Sequence, residues 1–210
     1  MNNLDLTRIR AMGHREFVGG EGALWEEIAL LQFNFLKAEG LKRNDTLMDI
    51  ACGALRAGRL FINYLDEGRY LGIEKEVNLL IHGVAEELGI DVFNEKKPEF
   101  IVSGNFEFSK FTAIPHYAIA QSLFTHLTAE DIYRCLKSFR SFIKGPTKLY
   151  ATFFEVSSAT ENFNHSDSLD CFFYTREQMN AISDIAGWSM HYIGDWGHPR
   201  QQKIMRLDPK

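Results

Sequence analysis

Strand-like and helix-like segments alternate along most of the chain, and this alternation restricts the fold more than any other feature. Short apolar segments are separated by longer segments whose apolar residues have helical spacing. The predicted strands are 46–51, 69–75, 99–104, 116–124 and 148–155, and the predicted helices are 57–67, 77–89, 128–145 and 175–187. Such alternation is typical of βαβ units, in which the strands are parallel.

The C-terminal end departs from this alternation. Two further strands are predicted at 189–196 and 201–207, and only the turn "GHPR" separates them. A turn this short joins antiparallel neighbours. We therefore predict an α/β fold with a doubly wound, mostly parallel, seven-stranded sheet and an antiparallel C-terminal strand. The length of 210 residues suits one globular domain with a sizeable core.

The first 40 residues are predicted to be distinct from the core at 41–210. They consist of a leader and a helix at 23–40, and Gly19 and Gly20 directly precede that helix. A segment of this kind can close over a bound ligand and exclude water, so we predict that it acts as a lid. Phe17 and Trp25 are candidates to line it, and Trp25 is also a candidate contact for the acceptor, although packing against the sheet is the favoured interpretation for Trp25.

Charge and apolar pattern exclude some classes of partner. The net charge of −5 argues against a nucleic-acid binder and against attraction to an anionic membrane surface. No apolar run approaches the roughly 20 residues of a membrane span, and the N-terminus does not resemble a signal peptide. Three widely spaced cysteines suit reduced thiols. These features predict a cytoplasmic protein without a membrane partner, and they leave the oligomeric state open.

The stretch "LMDIACGALRAGRL" at 47–60 predicts where a ligand binds. Ligands of open α/β sheets lie at the carboxyl ends of the strands. Gly53 allows a sharp turn and close approach of the backbone, and the helix that follows offers unpaired N–H groups. Glu74 ends the next strand, about 20 residues further on, where a carboxylate can accept hydrogen bonds from ribose hydroxyls. The pair predicts a cofactor that contains adenosine.

The same stretch argues against a diphosphate. A dinucleotide site has the pattern G-x-G-x-x-G, and a phosphate loop ends in Gly-Lys-Ser/Thr. This chain has neither pattern after its first strand and reads "ACGALR" there. A ligand without phosphate is therefore favoured.

At these residues the sequence resembles the class I S-adenosylmethionine-dependent methyltransferases, from about Phe17 to Leu207. "MDIACGALRAG" is similar to their first motif, D-x-G-x-G-x-G, and "YLGIEKE", "VSGNFE" and "AIAQSLFTHLTAED" resemble the next three. The resemblance is sharper to a bacterial subgroup with D-x-G-C-G-S-L-R-G-G, a "VGG" leader and the ending "GDWGHPRGQ". This chain departs from it at three of the subgroup's glycines, which are replaced by Ala51, Ala57 and Gln201.

The resemblance implies methyl transfer from S-adenosylmethionine, with S-adenosylhomocysteine as product, to a small-molecule acceptor at oxygen or nitrogen. It implies a set of residues that bind the cofactor. They are Phe17, Gly19, Gly20, Asp49, Ala51, Cys52, Gly53, Arg56, Glu74, Lys75, Asn105, Phe106, Gln121 and Ser122.

Arg56 has two interpretations. A cation in the first turn of a helix opposes the helix dipole by roughly 0.3–1 kcal/mol, and something should offset that cost. Arg56 either meets the carboxylate of the cofactor's methionine part or an acid in the leader such as Glu21, or it points into solvent.

The predicted base and acceptor residues lie at the same edge of the sheet. His126 follows the fourth strand and Glu155 ends the fifth, and either is a candidate base. For His126 the alternative is packing at the start of the next helix. The loop after Glu155 is long for a compact domain, which suggests contact with the acceptor. His165 and Tyr174 are the candidates there, and Tyr174 is alternatively a core residue.

Other classes of site and function are less favoured. The seven histidines show no H-x-x-x-H spacing and the cysteines no paired C-x-x-C, so no metal site is predicted. His198 is expected in a hairpin turn. Two alternative functions stay open: a non-catalytic module that binds the cofactor or regulates a partner, and a dinucleotide-dependent oxidoreductase, against which the missing G-x-G-x-x-G argues.

Overall fold

The computed structural model describes residues 3–19 and 22–210. The chain divides into two compact units, of which the first ends at Gly104 and the second begins at Asn105. Among the described residues, every helix is too short or too polar to cross a membrane.

The first unit contains six α-helices and three strands in its described residues. The helices are α1 (Asn3–Met12), α2 (His14–Phe17), α3 (Ala23–Ala38), α4 (Gly58–Tyr64), α5 (Val77–His82) and α6 (Ile90–Lys96), with a π-helical segment, Gly83–Leu88, directly after α5. The strands are β1 (Leu47–Ile50), β2 (Tyr70–Glu74) and β3 (Glu99–Val102). They pair in the order β3-β2-β1, and both pairs are parallel.

Every residue of β1 and β2 is buried. Strands of a parallel sheet are covered on both faces, which is why these segments read as continuous apolar runs. In the register Ile50 lies opposite Ile73, and Glu74 is the last residue of β2. The carboxyl ends of β1 and β2 therefore lie side by side, next to the turn that leads into α4.

The second unit contains five strands and two α-helices. The strands are β4 (Tyr117–Ala120), β5 (Lys148–Glu155), β6 (Phe173–Tyr174), β7 (Trp188–Asp195) and β8 (Lys203–Pro209). The helices are α7 (Ala129–Phe142) and α8 (Arg176–Ile185), and 3₁₀ turns lie at Phe108–Lys110 and Phe124–His126. Strand β5 is parallel to β4 and β6, and β8 runs antiparallel between β5 and β7.

Side-chain hydrogen bonds cap the N-termini of both α-helices of the second unit. The Thr128 hydroxyl accepts a hydrogen bond from the Asp131 N–H at 3.3 Å, and Thr175 and Gln178 form a reciprocal capping box. Helix α7 buries its apolar face, and Phe139 on that face stacks on Trp188, with ring centroids 5.8 Å apart. Caps of this kind each stabilise a helix by about 1 kcal/mol.

The mostly parallel architecture and the antiparallel C-terminal strand β8 are confirmed. The strand count differs, because the described residues form eight strands and the two-residue β6 is too short to show a sequence pattern. The fourth strand is shorter than predicted and ends at Ala120, since Ser122 has a φ of 57° that interrupts extended backbone. The helix predicted at 77–89 is α5 followed by the π-helical segment, and α6 was not predicted.

Candidate cofactor-binding site

The turn after β1 leaves the strand through three residues in the left-handed region. Ala51, Gly53 and Leu55 have φ values of 61°, 56° and 60°. The N–H groups of Ala51 and Cys52 both donate to the Ile73 carbonyl, at 2.9 and 3.2 Å. An L-residue in this region costs roughly 1–2 kcal/mol, so the turn at Ala51 and Leu55 is held against β2 at an energetic cost.

The Glu74 carboxylate lies at the centre of this arrangement and is only 5% exposed. Its Oε2 accepts a hydrogen bond from the Gly53 N–H at 2.9 Å, and its Oε1 accepts from the N–H groups of Lys75 and Glu76 at 2.8 and 3.0 Å. Burial raises the pKa of Glu74, and the three hydrogen bonds oppose that rise. The structure thus brings together the two residues that the sequence pattern paired.

Val18 of the leader lies directly against the turn. A Cβ added at Gly53 would be 3.2 Å from Val18 Cγ1, so a side chain there would press on Val18, and the φ of 56° also favours glycine. Arg56 Nη1 donates to the Val18 carbonyl at 3.3 Å, and Arg56 is only 8% exposed. The solvated interpretation of Arg56 is therefore wrong. The prediction that Arg56 lies in the first turn of a helix is also wrong, since α4 begins at Gly58 and Arg56 precedes it.

Gly20 and Glu21, which the sequence placed in the cofactor site and as a possible partner of Arg56, lie outside the described residues. Gly19 is described and has a φ of 71°. It follows Val18 directly, so it lies next to the contact between the leader and the turn.

Asp49 is buried within β1, where it accepts a hydrogen bond from the Tyr70 hydroxyl at 2.7 Å. Burial raises the pKa of Asp49 to about 6, the bond from Tyr70 lowers it, and the neighbouring charge of Glu74 raises it. Cys52 is also buried, and burial raises the pKa of its thiol well above the usual value. The thiol is therefore protonated at neutral pH.

Polar and apolar contacts hold the leader against the rest of the first unit. Lys75 Nζ donates to Asp5 of α1 at 2.6 Å, and Asp5 is 1% exposed. Phe17 and Trp25 join a buried apolar cluster that contains Ile9, Ala54 and Leu79. At 1% exposure Trp25 is a core residue, so the interpretation of this residue as a contact for the acceptor is not supported and packing is its role.

A polar cluster lies at the carboxyl end of β4, beside Thr152 within β5, in the second unit. It consists of Gln121, Ser122, Thr152, His198 and Gln202. The Thr152 hydroxyl accepts a hydrogen bond from the Ser122 N–H and donates one to Gln202 Oε1, each at 2.8 Å, and Gln202 Nε2 donates to the Ser122 hydroxyl at 2.6 Å.

Three members of this polar cluster, Thr152, His198 and Gln202, were not predicted as site residues. His198 does follow β7, as the hairpin turn requires, but it is 4% exposed, and its Nε2 lies 3.1 Å from the Gln121 amide nitrogen. Gln202 is 2% exposed. Polar residues that flank a short turn usually face solvent, so only the ending "GDWGHPRQQ" as a whole contains a signal for them.

The remaining cofactor residues predicted in the second unit, Asn105 and Phe106, are its first two residues. Asn105 is exposed, and Phe106 is half-buried with its ring stacked on Phe108 at a centroid distance of 6.3 Å. The Phe106 carbonyl accepts a hydrogen bond from the Ser138 hydroxyl at 2.6 Å. This bond fixes the loop to α7.

The two candidate bases differ in their contacts. His126 Nδ1 lies 2.7 Å from the Asp170 carbonyl oxygen, which can only accept, so Nδ1 carries the proton and Nε2 of the neutral ring has the lone pair. Glu155 accepts a hydrogen bond from the Tyr192 hydroxyl at 2.5 Å. Burial, together with this bond, raises the pKa of Tyr192 to about 12.

The two candidate acceptor residues also differ. His165 is exposed in the loop 156–172. Tyr174 is 3% exposed, and its hydroxyl donates to the Leu127 carbonyl at 2.6 Å. These contacts place Tyr174 in the core, which was its alternative interpretation, and they do not support a contact with the acceptor.

Comparison with solved structures shows what the fold resembles. Magnesium protoporphyrin IX methyltransferase from Synechocystis, solved with bound S-adenosylhomocysteine, is 11% identical, with a TM-score of 0.67 over 100% of this chain and 96% of that chain. An amino pentose methyltransferase from Micromonospora echinaspora, solved with S-adenosylmethionine, is 11% identical, with a TM-score of 0.65 over 91% and 94%.

A third similar structure is the 1,6-didemethyltoxoflavin-N1-methyltransferase of Burkholderia thailandensis, solved with 1,6-didemethyltoxoflavin and S-adenosylhomocysteine. It is 10% identical, with a TM-score of 0.65 over 99% of this chain and 87% of that chain. A search of protein-family models and a search of curated protein sequences both find no match. The chain therefore has the Rossmann-like methyltransferase fold, as its sequence pattern predicted.

Proposed function

We propose that this protein is an S-adenosylmethionine-dependent methyltransferase that acts on a small molecule in the cytoplasm. The observation that carries the proposal is the hydrogen bond between Glu74 and Gly53, at the carboxyl ends of β2 and β1, on the fold of known methyltransferases. The similar structures act on small molecules, according to their names, and two of the three contain S-adenosylhomocysteine. The motif similarity to the bacterial subgroup agrees with this assignment.

The residues present fit an adenosine ligand without phosphate. A carboxylate has about four acceptor positions, two on each oxygen. Glu74 Oε1 accepts two backbone hydrogen bonds and Oε2 accepts one, so Oε2 retains capacity for a ribose hydroxyl. The turn also lacks the glycines that a diphosphate requires.

The cofactor residues of the proposal come from three segments. The leader contributes Phe17, Gly19 and Gly20 as part of a lid formed by residues 1–40. The rest of the first unit contributes Asp49, Ala51, Cys52, Gly53, Arg56, Glu74 and Lys75. The sequence resemblance also assigns cofactor binding to Asn105, Phe106, Gln121 and Ser122 of the second unit. When bound, S-adenosylmethionine supplies an electrophilic methyl group on a sulfonium.

The chain itself supplies alignment and proton removal. Methyl transfer is an in-line displacement, so holding the acceptor in position accounts for much of the catalysis. We assign His126 as the base, because its imidazole follows β4 and the contact of Nδ1 with the Asp170 carbonyl holds the ring beside the loop 156–172. Glu155 is the second candidate, and His165 is the candidate contact for the acceptor.

Two measurements test the proposal. We expect S-adenosylhomocysteine to raise the melting temperature of the purified protein, and NAD to leave it unchanged. We then expect S-adenosylmethionine with a labelled methyl group to label a small-molecule fraction of a cell extract. Stabilisation by NAD alone would favour the oxidoreductase. Binding of S-adenosylhomocysteine without labelling of any small-molecule fraction would favour the non-catalytic module.

A further inference from the structure

Two histidines and a glutamate of the first unit meet away from the candidate cofactor site. His14 lies on α2, His82 ends α5, and Glu86 lies in the π-helical segment. One ring nitrogen from each histidine and one Glu86 oxygen all lie within 4.8 Å of one another. The two imidazole rings are stacked, with centroids 5.0 Å apart and an angle of 10° between their planes.

The three side chains converge for two separate reasons. His82 and Glu86 are four residues apart in helical backbone, so they share one face, and His82 Nδ1 lies 2.6 Å from Glu86 Oε1. His14 is distant in sequence and reaches this face because α2 packs there. A search for paired histidine spacing cannot find such a cluster, which explains why no metal site was predicted.

A fourth residue, Glu87, fixes the orientation of His14. Its carboxylate is 3% exposed and lies 2.7 Å from His14 Nε2, and Arg15 donates two hydrogen bonds to it at 2.6 and 2.9 Å. A carboxylate oxygen this close to Nε2 accepts a hydrogen bond from it, so these contacts hold the His14 ring in one orientation.

This bond determines whether Nδ1, the other ring nitrogen of His14, carries a proton or a lone pair. With its proton on Nε2, a neutral His14 has its lone pair on Nδ1. That nitrogen lies 3.8 Å from Glu86 Oε2. A nitrogen lone pair and a carboxylate oxygen that face each other are both suitable ligands for a metal ion.

We propose that His14, His82 and Glu86 bind a divalent metal ion, with zinc as the favoured ion and Glu87 as the residue that orients His14. Two imidazole nitrogens, one carboxylate oxygen and a water complete the tetrahedral set that zinc prefers. A carboxylate behind a metal-binding histidine is the usual second partner of such sites, and Glu87 has that position.

Binding requires only a small rearrangement. Ligand atoms around tetrahedral zinc are ~3.3 Å apart, given metal–ligand distances near 2 Å. The side chains of Glu86 and His82 are 55% and 40% exposed and can rotate inward, whereas His14 is 12% exposed and is held by Glu87. The ion would fasten α2 to the π-helical segment.

A metal ion at this site would also steady the leader. Helix α2 leads directly into Val18, whose carbonyl bonds Arg56 and whose side chain lies against Gly53. A metal ion on α2 therefore steadies the part of the leader that contacts the turn after β1. Its role would be structural, because all three ligands lie on helices outside the candidate cofactor site.

The test uses zinc and the metal-free protein. The background is Cys171→Ser, which removes the one exposed thiol of the chain. Titration against a chromogenic zinc chelator is expected to give one zinc per chain, with a dissociation constant in the micromolar range or tighter. We expect His82→Ala and Glu86→Gln each to weaken binding at least tenfold. The matched control is His191→Ala, a half-exposed histidine paired with Asp208 in the second unit, and it should leave the affinity unchanged.

A spectroscopic measurement distinguishes a defined site from loose surface binding. Cobalt(II) in a tetrahedral nitrogen–oxygen site absorbs visible light, and this absorption should be present in the background protein and the control but absent from both site variants. Zinc affinity that is equal in all variants, or binding that is undetectable in the background protein, would overturn the proposal. Circular dichroism checks that the variants are folded. None of these readouts involves S-adenosylmethionine, so they stand or fall separately from the proposed function.

Discussion

The Glu74 carboxylate accepts a hydrogen bond from the Gly53 N–H at 2.9 Å, across 21 positions of the sequence. One buried acid thus fixes the shape of the turn after β1 and keeps one acceptor position for a ligand. Stability and cofactor binding are coupled at this residue, and the predictions below separate the two.

Gly53→Ala should weaken both folding and cofactor binding. Its φ of 56° disfavours any L-residue, and the added methyl group would meet Val18 at 3.2 Å. Gly68→Ala is the matched control, because Gly68 has a φ of 70° with open space around its Cβ position. Both variants should lose about 1 kcal/mol of unfolding free energy from the backbone alone. Calorimetry with S-adenosylhomocysteine should show weakened binding only for Gly53→Ala, and equal affinities would contradict the contact with the leader.

Ala51→Gly should stabilise the protein. Ala51 has a φ of 61°, at a position where the similar methyltransferase motif has glycine. Relief of this strain exceeds the entropic cost of glycine, so we expect a gain of about 0.5 kcal/mol and a melting temperature about 1–2 °C higher. Leu55→Gly is the contrasting variant, since its φ is similar but its side chain is fully buried. It should lose about 3 kcal/mol because a cavity forms.

Asp49 should make stability depend on pH. Its pKa is raised to about 6 in the folded protein, so the folded state holds the proton more tightly than the unfolded state does. The stabilisation is complete below the unfolded pKa, near 4, and is lost as the pH rises through about 6.

The measurement is the difference in unfolding free energy between Asp49→Asn and the original protein, determined by urea denaturation from pH 4 to 8. The variant should gain up to about 3 kcal/mol relative to the original as the pH rises across this window. A difference that is constant with pH would show that Asp49 is ionised in the folded protein throughout.

His126→Gln should reduce turnover without weakening cofactor binding. Loss of a base typically lowers the rate by about 10²–10⁴-fold. The measurement is the initial rate of labelling of the acceptor fraction, together with the dissociation constant of S-adenosylhomocysteine. Glu155→Gln keeps an oxygen that accepts from Tyr192 and should reduce the rate less. A larger loss of rate in Glu155→Gln than in His126→Gln would indicate that Glu155 is the base.

Much of the first unit could be predicted because its signals are local. The apolar runs of β1 and β2, the glycine between them and the acid at the end of β2 lie in short stretches with fixed spacing. The caps at Thr128 and Thr175 are equally local, since each involves residues within three positions.

Other features depend on packing between distant segments and have no local pattern. His198 reaches Gln121, and Gln202 reaches Ser122 and Thr152, only through the pairing of β8 with β5. His14 reaches His82 only through the packing of α2. The burial of Arg56 depends on where the leader lies, which sequence spacing does not determine. Strand β6 exists because two residues align with β5, and two residues cannot show a period.

The most direct test of the account is calorimetric titration of S-adenosylhomocysteine into the original protein, Glu74→Gln and Glu67→Gln. Glu67 is an exposed acid of the same unit, paired with Lys97, and it serves as the matched control. We expect one binding site per chain in the original protein and the control, and at least tenfold weaker binding in Glu74→Gln. Equal affinity in Glu74→Gln and the original protein, or no binding to the original protein, would contradict the assignment of this site to S-adenosylmethionine.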